Sequence, residues 1–250
     1  EEVGSKKGLI HLLKAKRHLF SDEDLIIVPD AGNPEGTLIE VAEKGILWLR
    51  LELRGKQGHA SRPHLSRNTL RACAHVIVAL EALSQEFPLE NPLVDPPGSP
   101  FEPTRKDPNV PNINTIPGRD VFYLDCRVLP EYGLAQVRER VTALAAEVAA
   151  RFEVSLKVTP MQETPSAPAT FPEAPVVQAL KRAIREVYGR QAHPRGIGGG
   201  TVAAFFRQAG LPAAVWMTVD ETAHQPNEFC SLSKLLGDAR VLAHVFLMPD

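Results

Sequence analysis

The order of hydrophobic periods between residues 45 and 160 restricts this chain's fold more than any other feature. Residues 45–54 alternate, with Ile46, Trp48-Leu49, Leu51 and Leu53 set among charged neighbours, as a half-buried strand requires. Residues 68–83 change to a helical period, placing Leu70, Cys73, Ala74, Ile77, Val78 and Leu80 on one side. Residues 87–108 are rich in proline and turn formers and are expected to be a long irregular connection. Strands are expected at 112–116 and 121–128, with Pro117-Gly118 as a hairpin hinge, then a helix at 134–152 and a strand at 154–160. Strand, helix, strand, strand, helix, strand is the split βαβ or ferredoxin-like order, with two helices over one face of an antiparallel sheet.

The flanks have a different style. A helix is expected over residues 1–19, with Leu9, Ile10, Leu12 and Leu13 as its apolar side. A short buried strand at 24–30 ends in Asp30, and a Gly/Pro turn follows at 32–36. Beyond the insert come a helix at 175–188, a glycine-rich loop at 196–201 and a short helix at 202–209. An apolar strand at 211–219 and a closing helix at 231–246 complete the chain. Alternating strands and helices make an α/β layer. The organisation this implies is one α/β domain in two parts, 1–44 and 166–250, interrupted by an α+β domain at 45–165. No internal repeat or low-complexity tract appears.

Composition narrows the function classes. Hydrophobic residues make up 44% of the 250, enough for a core rather than disorder. A net charge of -2 with interspersed signs gives no basic field for nucleic acid. No apolar run approaches the ~18 residues of a membrane span, and no signal peptide opens the chain. Cys73, Cys126 and Cys230 are odd in number and far apart, which points to reduced thiols in a cytoplasmic protein, buried as small apolar residues. Residue 1 is Glu, so the first residue is not expected to be the start of translation.

Four polar clusters carry candidate chemistry. Glu1 and Glu2 are adjacent acids before a helix; one could hold a metal while the other faces a water, or both could simply favour the helix dipole. Asp30 ends an apolar strand, where α/β sites are built, though Asp is also a common turn former. His224 lies in the polar loop 220–228 after a buried strand, placed as a ligand or as a helix cap. His59, in Gly-Lys-Gln-Gly-His-Ala-Ser-Arg-Pro, could donate to an oxyanion or be an exposed loop residue.

Taken in order, these pieces form a pattern. Glu-Glu-x-Gly-Ser, Pro-Asp-Ala-Gly, Glu-Lys-Gly, Gly-His-Ala-Ser-x-Pro, Asn-x-Ile-Pro, Asp-x-Arg, Gly-Gly-Gly-Thr and Ala-His-x-Pro-Asn-Glu follow one another along nearly the whole chain. This succession closely resembles the zinc amidohydrolase and exopeptidase family of acetylornithine deacetylase, succinyl-diaminopimelate desuccinylase, aminoacylase and glutamate carboxypeptidase. The resemblance implies that Glu1 is the general base, Glu2 and His224 ligands of one zinc, and Asp30 a ligand of the other. It implies that His59 is lent to a partner subunit's site to stabilise the oxyanion. Asn114 and Arg127 would be lid residues holding substrate, and Gly199, Gly200 and Thr201 the substrate-side loop. It also implies two zinc ions per subunit (with cobalt or another divalent metal as substitutes), a homodimer formed through the lid, and an N-acyl amino acid or small peptide as substrate.

The sequence departs from that family in one respect. The family's His-x-Asp motif and its metal-bridging aspartate are absent from the 250 residues. His11, His18, His75 and His244 fall on predicted helices, His64 in the lid loop and His193 in a turn. Catalytic zinc generally has three protein ligands, so this chain alone is expected to bind zinc poorly and to hydrolyse little. The rival reading is a non-catalytic dimerisation or binding module with a vestigial metal site. A nucleotide role for the loop 196–201 is disfavoured, because no Lys-Ser/Thr follows its glycines.

Overall fold

The computed structural model describes residues 7–220, 222 and 225–247. Contacts divide them into two units. The flanking unit comprises the residues up to Glu43, Pro92–Pro96 and those from Ala167 onward; the inserted unit comprises Lys44–Asn91 and Pro97–Ser166. Residues 92–96 therefore belong with the flanks although they lie within the span read as the insert.

The chain opens with α1 (Leu9–Ala15), shorter than expected. The backbone leaves helical geometry at Lys16, and Arg17–Leu19 form a separate 3-10 turn. Only Leu13 is buried, so little tertiary packing is available to extend the helix. After β1 (Ile26–Asn33), the Asn33 side chain organises a turn, its oxygen accepting from Thr37 N–H at 2.8 Å and Leu38 N–H at 3.1 Å. Next comes β2 (Leu38–Glu43), which the sequence reading passed over. Residues 39–43 are all buried, so the strand shows no alternation of polar and apolar positions.

The inserted unit begins with β3 (Gly45–Arg54) and the two-residue strand β4 (Gly58–His59). Helix α2 (Thr69–Ala79) is capped by the Asn68 side chain, which accepts from Arg71 N–H at 3.1 Å. The short α3 (Leu83–Glu86), β5 (Phe101–Lys106), β6 (Thr115–Ile116), β7 (Arg119–Val128), α4 (Leu134–Arg151) and β8 (Ser155–Thr164) complete it. The sheet order is β5-β7-β3-β8, with every neighbouring pair antiparallel. Leu47, Leu49, Leu51 and Leu53 face the same core as residues of both α2 and α4, so both helices cover one side, as the ferredoxin-like order requires.

One strand of that motif differs from expectation. Its second strand is β5, inside the span read as irregular, whereas Thr115–Ile116 leaves the main sheet to pair with β4. The reason is physical: β5 is an edge strand that buries only Phe101 and contains Pro103, a residue tolerated at edges. It therefore carries neither alternation nor β-propensity.

The flanking unit resumes with α5 (Pro175–Tyr188), which has proline in its first turn and ends at Gly189 with φ 64°. It buries Val176, Val177, Leu180 and Ile184, each worth about 1.5–3 kcal/mol of transfer free energy. Then follow β9 (His193–Ile197), α6 (Ala203–Gln208), β10 (Ala213–Thr218) and α7 (Leu232–Leu247). His193 thus starts a strand rather than lying in a turn. The sheet order is β1-β10-β2-β9; its outer pairs are parallel and β10–β2 is antiparallel. Helices α5 and α7 share a core on one face, and α6 packs near Val28, Ala213 and Val215 on the other.

Cys73 and Cys126 are buried, with burial pushing their thiols up to about 11 and about 12. Cys230 is exposed, against expectation. Among the described residues no helix is long and apolar enough to cross a membrane.

Candidate active site

In the flanking unit, the candidate groups lie on β1, at the end of β2 and in the loop that leaves β9. Asp30 is exposed on β1, and among the described residues no hydrogen-bond donor meets its carboxylate. Its charge is felt by Glu43 at the end of β2. Glu43 is buried, and burial raises its pKa. The Thr201 hydroxyl pulls the other way, donating to Glu43 Oε1 at 2.6 Å. Thr201 Oγ1 also accepts from Ala203 N–H at 3.1 Å, tying the glycine loop to the start of α6. Gly199, Gly200 and Thr201 therefore hang between the end of β9 and a helix whose entry is fixed by a buried carboxylate.

Behind this loop lies an ion-pair network. Arg207 on α6 donates to both carboxylate oxygens of Glu40, at 2.8 and 3.1 Å, with both side chains almost completely buried. It also donates to Ala213 O and Thr170 Oγ1, and stands 3.7 Å from Glu43. Burial pushes Glu40 up to about 7 against the pull of Arg207. A buried pair of this kind persists only when its remaining donors are satisfied, as they are here.

After β10, a hollow of about 300 Å³ is lined by Thr218, Asp220, Glu228, Phe229, Cys230 and Lys234. Lys234 Nζ donates to Asp220 at 2.5 Å. His224, Glu1 and Glu2 lie outside the described residues. Among the described residues no three metal-capable side chains gather. Were Glu2, Asp30 and His224 to act together, two carboxylates and an imidazole would be donors of the kind zinc takes.

The inserted unit holds the other candidates, and it separates them. His59 and Asn114 share a small ribbon in which β4 pairs with β6 and Ala60 N–H donates to Asn114 O at 2.8 Å. His59 Nδ1 accepts from Ser61 N–H at 3.2 Å and lies 2.8 Å from Ser61 Oγ. An Nδ1 that accepts from Ser61 N–H corresponds to the tautomer with the ring proton on Nε2. Arg127 is elsewhere. It pairs across the sheet with Ile46, where the chain enters the unit, roughly 25 Å along β7 from the ribbon end. Its guanidinium forks onto Asp125 at 2.8 and 3.0 Å and lies 6.0 Å from the Trp48 ring centre.

Glu43 is not among the residues singled out from the sequence, although its contact with Thr201 places it at the glycine loop. The Glu-Lys-Gly piece signalled its position, but a strand buried on both faces gives no hint that its last carboxylate turns toward a loop.

Comparisons with known proteins add the following. The M20 peptidase dimerisation domain matches residues 41–153. An uncharacterized metallohydrolase of Methanococcus maripaludis is 39% identical over 255 residues, covering 96% of this chain and 61% of that protein. Succinyl-diaminopimelate desuccinylase of Marinobacter nauticus is 26% identical over 230 residues, covering 91% of this chain and 58% of that protein. The crystal structure of human carnosine dipeptidase 1 has the same fold, with a TM-score of 0.75 at 17% identity, over 99% of this chain and 64% of that one. The chain spans about three fifths of the length of the curated relatives it matches.

Proposed function

This chain belongs to the M20 peptidase family, and from that membership we propose that the protein hydrolyses an amide bond in an N-acyl amino acid or small peptide. Glu2 and His224 would hold one zinc and Asp30 the other. When bound, the metals polarise the amide carbonyl and lower the pKa of a water to ~7. Glu1 would take the proton of the attacking water and return it to the leaving amine. His59, with its proton on Nε2, donates to the oxyanion. Gly199, Gly200 and Thr201 line the substrate side, and Asn114 holds substrate beside His59. Arg127 takes a substrate carboxylate only by sharing or leaving Asp125. Homodimerisation through the inserted domain, residues 45–165, brings His59 to the partner's site. The ribbon's position, remote from the point where the chain enters the unit, supports donation across subunits. The flanks 1–44 and 166–250 are the catalytic domain of a cytoplasmic enzyme.

The observation that carries this reading is the exposed carboxylate of Asp30, on a strand beside a loop fixed by Glu43 and Thr201. The absence of a His-x-Asp motif from the 250 residues favours weak metal binding and low activity for this chain by itself. The test measures zinc content and amidase activity on this chain and on the full-length gene product. About two zinc ions and activity in the longer protein alone support the proposal. Neither zinc nor activity in both would favour the vestigial binding module.

A further inference from the structure

A ribbon with two residues on each strand cannot hold itself, yet this one presents His59 and Asn114 from a defined frame. The contacts at its root explain how. Gly55 N–H donates to Gly118 O at 2.9 Å, and Lys56 and Arg67 exchange backbone bonds at 3.1 and 2.9 Å. The backbones are in direct contact there: a Cβ on Gly55 would lie 2.4 Å from Arg67 O, and one on Gly118 would lie 2.6 Å from Gln57 N. Beneath these contacts sits Asp120, the second residue of β7, with its side chain fully enclosed. Its Oδ2 accepts from the Thr69 hydroxyl at 2.8 Å, and its Oδ1 accepts from Asn109 Nδ2 at 2.9 Å and from the Lys106 ammonium.

Each partner belongs to a different segment of the root. Lys106 ends β5, Asn109 begins the loop that carries Asn114, and Thr69 opens α2. Thr69 N–H donates to Pro117 O, where the same loop ends, at 3.2 Å, and its single hydroxyl proton is shared between Asp120 and that carbonyl, 3.0 Å away. We propose that Asp120 is a positioning residue for His59 and Asn114: one buried carboxylate draws together both ends of the loop and the helix start against which the ribbon is built. The inference rests on the reading of His59 as the oxyanion donor. Asp120 touches no substrate; it fixes where the imidazole and the amide stand.

The test has two readouts. In the 250-residue chain, Asp120→Asn removes the charge at nearly constant volume. Amide exchange at Gly55 and Ala60, which close the root and the ribbon, should accelerate by about tenfold or more, while the β3–β8 ladder keeps its protection. Lys106→Met should reproduce the pattern from the other side of the contact. In the full-length gene product, Asp120→Asn should lower kcat and kcat/KM, and adding it to a His59→Ala, Asn114→Ala double variant should slow the enzyme no further. Ribbon amides that exchange no faster than before would overturn the proposal. So would a loosened ribbon with unchanged kcat in an enzyme that His59→Ala does slow. If His59→Ala has no kinetic effect, the role of His59 fails, and a loosened ribbon still establishes Asp120 as its anchor.

Discussion

The two units solve the problem of burial differently. The inserted unit builds one continuous core from a four-stranded sheet and two helices, with the Arg50–Glu52–Arg119 group on the opposite face of the sheet. The flanking unit divides its apolar residues between two faces of a sheet and places a buried Arg207–Glu40 pair among them. Its last helix, α7, buries Val241 and Val245 but leaves Leu232, Leu235 and Leu236 exposed. The lesson is that self-sufficiency and chemistry are separated within one chain. The inserted unit closes its core from its own residues and displays a histidine; the flanking unit keeps polar groups inside and an apolar helix face outside.

The largest expected effect tests that division directly. Arg207→Ala leaves Glu40 buried without a partner and should destabilise the flanking unit by about 3–5 kcal/mol. The chain's two tryptophans make the test clean: Trp216 is buried in the flanking unit and Trp48 lies in the inserted unit. With Trp48→Phe as background, denaturation followed by Trp216 should shift strongly, while β3–β8 amide protection in the inserted unit is unchanged. Loss of protection in both units would mean that they fold as one. The converse substitution, Leu124→Ala in the inserted core, should cost about 2–5 kcal/mol there and leave the Trp216 transition in place.

Acid and base should then act on the two units in opposite directions. Glu52, on that opposite face of the inserted unit's sheet, is drawn down to about 2 by hydrogen bonds from Arg50 and then Arg119. Below its ordinary value near 4.5 the unfolded chain binds a proton that the folded unit refuses. This contribution to stability is present above that pH and lost as pH falls toward about 2. Glu40 runs the other way, pushed up to about 7 from 4.5 by burial. Between those values the folded flanking unit holds a proton that the unfolded chain has released, so its stability declines as pH rises. Glu43, raised in the same direction, reinforces the trend. Denaturation across pH 3 to 8 (about five pH units), with separate reporters for the two units, should give slopes of opposite sign. Parallel slopes would break the contrast.

The same contrast explains what was legible in the sequence. The inserted unit's β3, α2, β7 and α4 each bury one face, and periods of two and 3.6 residues record that. The strand that escaped, β5, is an edge with a single buried side chain. In the flanking unit β2 escaped for the opposite reason, being buried throughout. His59 and Asn114 were readable as motifs, but the ribbon that joins them was not, because their pairing crosses more than fifty residues of chain. Arg127 was readable as a charge at a strand end; its fork onto Asp125, two residues away on the same strand, follows only from side-chain geometry. Glu43 and Asp120 take their roles from tertiary neighbours alone.

The smallest expected effect lies at the join between fold and chemistry in the flanking unit. Thr201→Val keeps the shape of the side chain and removes the hydroxyl, so Glu43 loses its closest donor and Ala203 N–H its acceptor. Losing these two hydrogen bonds should cost about 1 kcal/mol, read from the Trp216 transition. Thr201→Ser, which keeps the hydroxyl, should recover most of it. The pH slope adds discrimination: with the hydroxyl gone, burial and the charge of Asp30 are opposed only by the Arg207 charge and the residue-201 backbone N–H, so the balance moves toward the protonated form of Glu43. The valine variant should therefore lose stability more steeply than wild type as pH rises above the ordinary carboxylate range. An unchanged slope would mean that Thr201 serves as a helix cap and has no part in setting the charge of the loop beside Asp30.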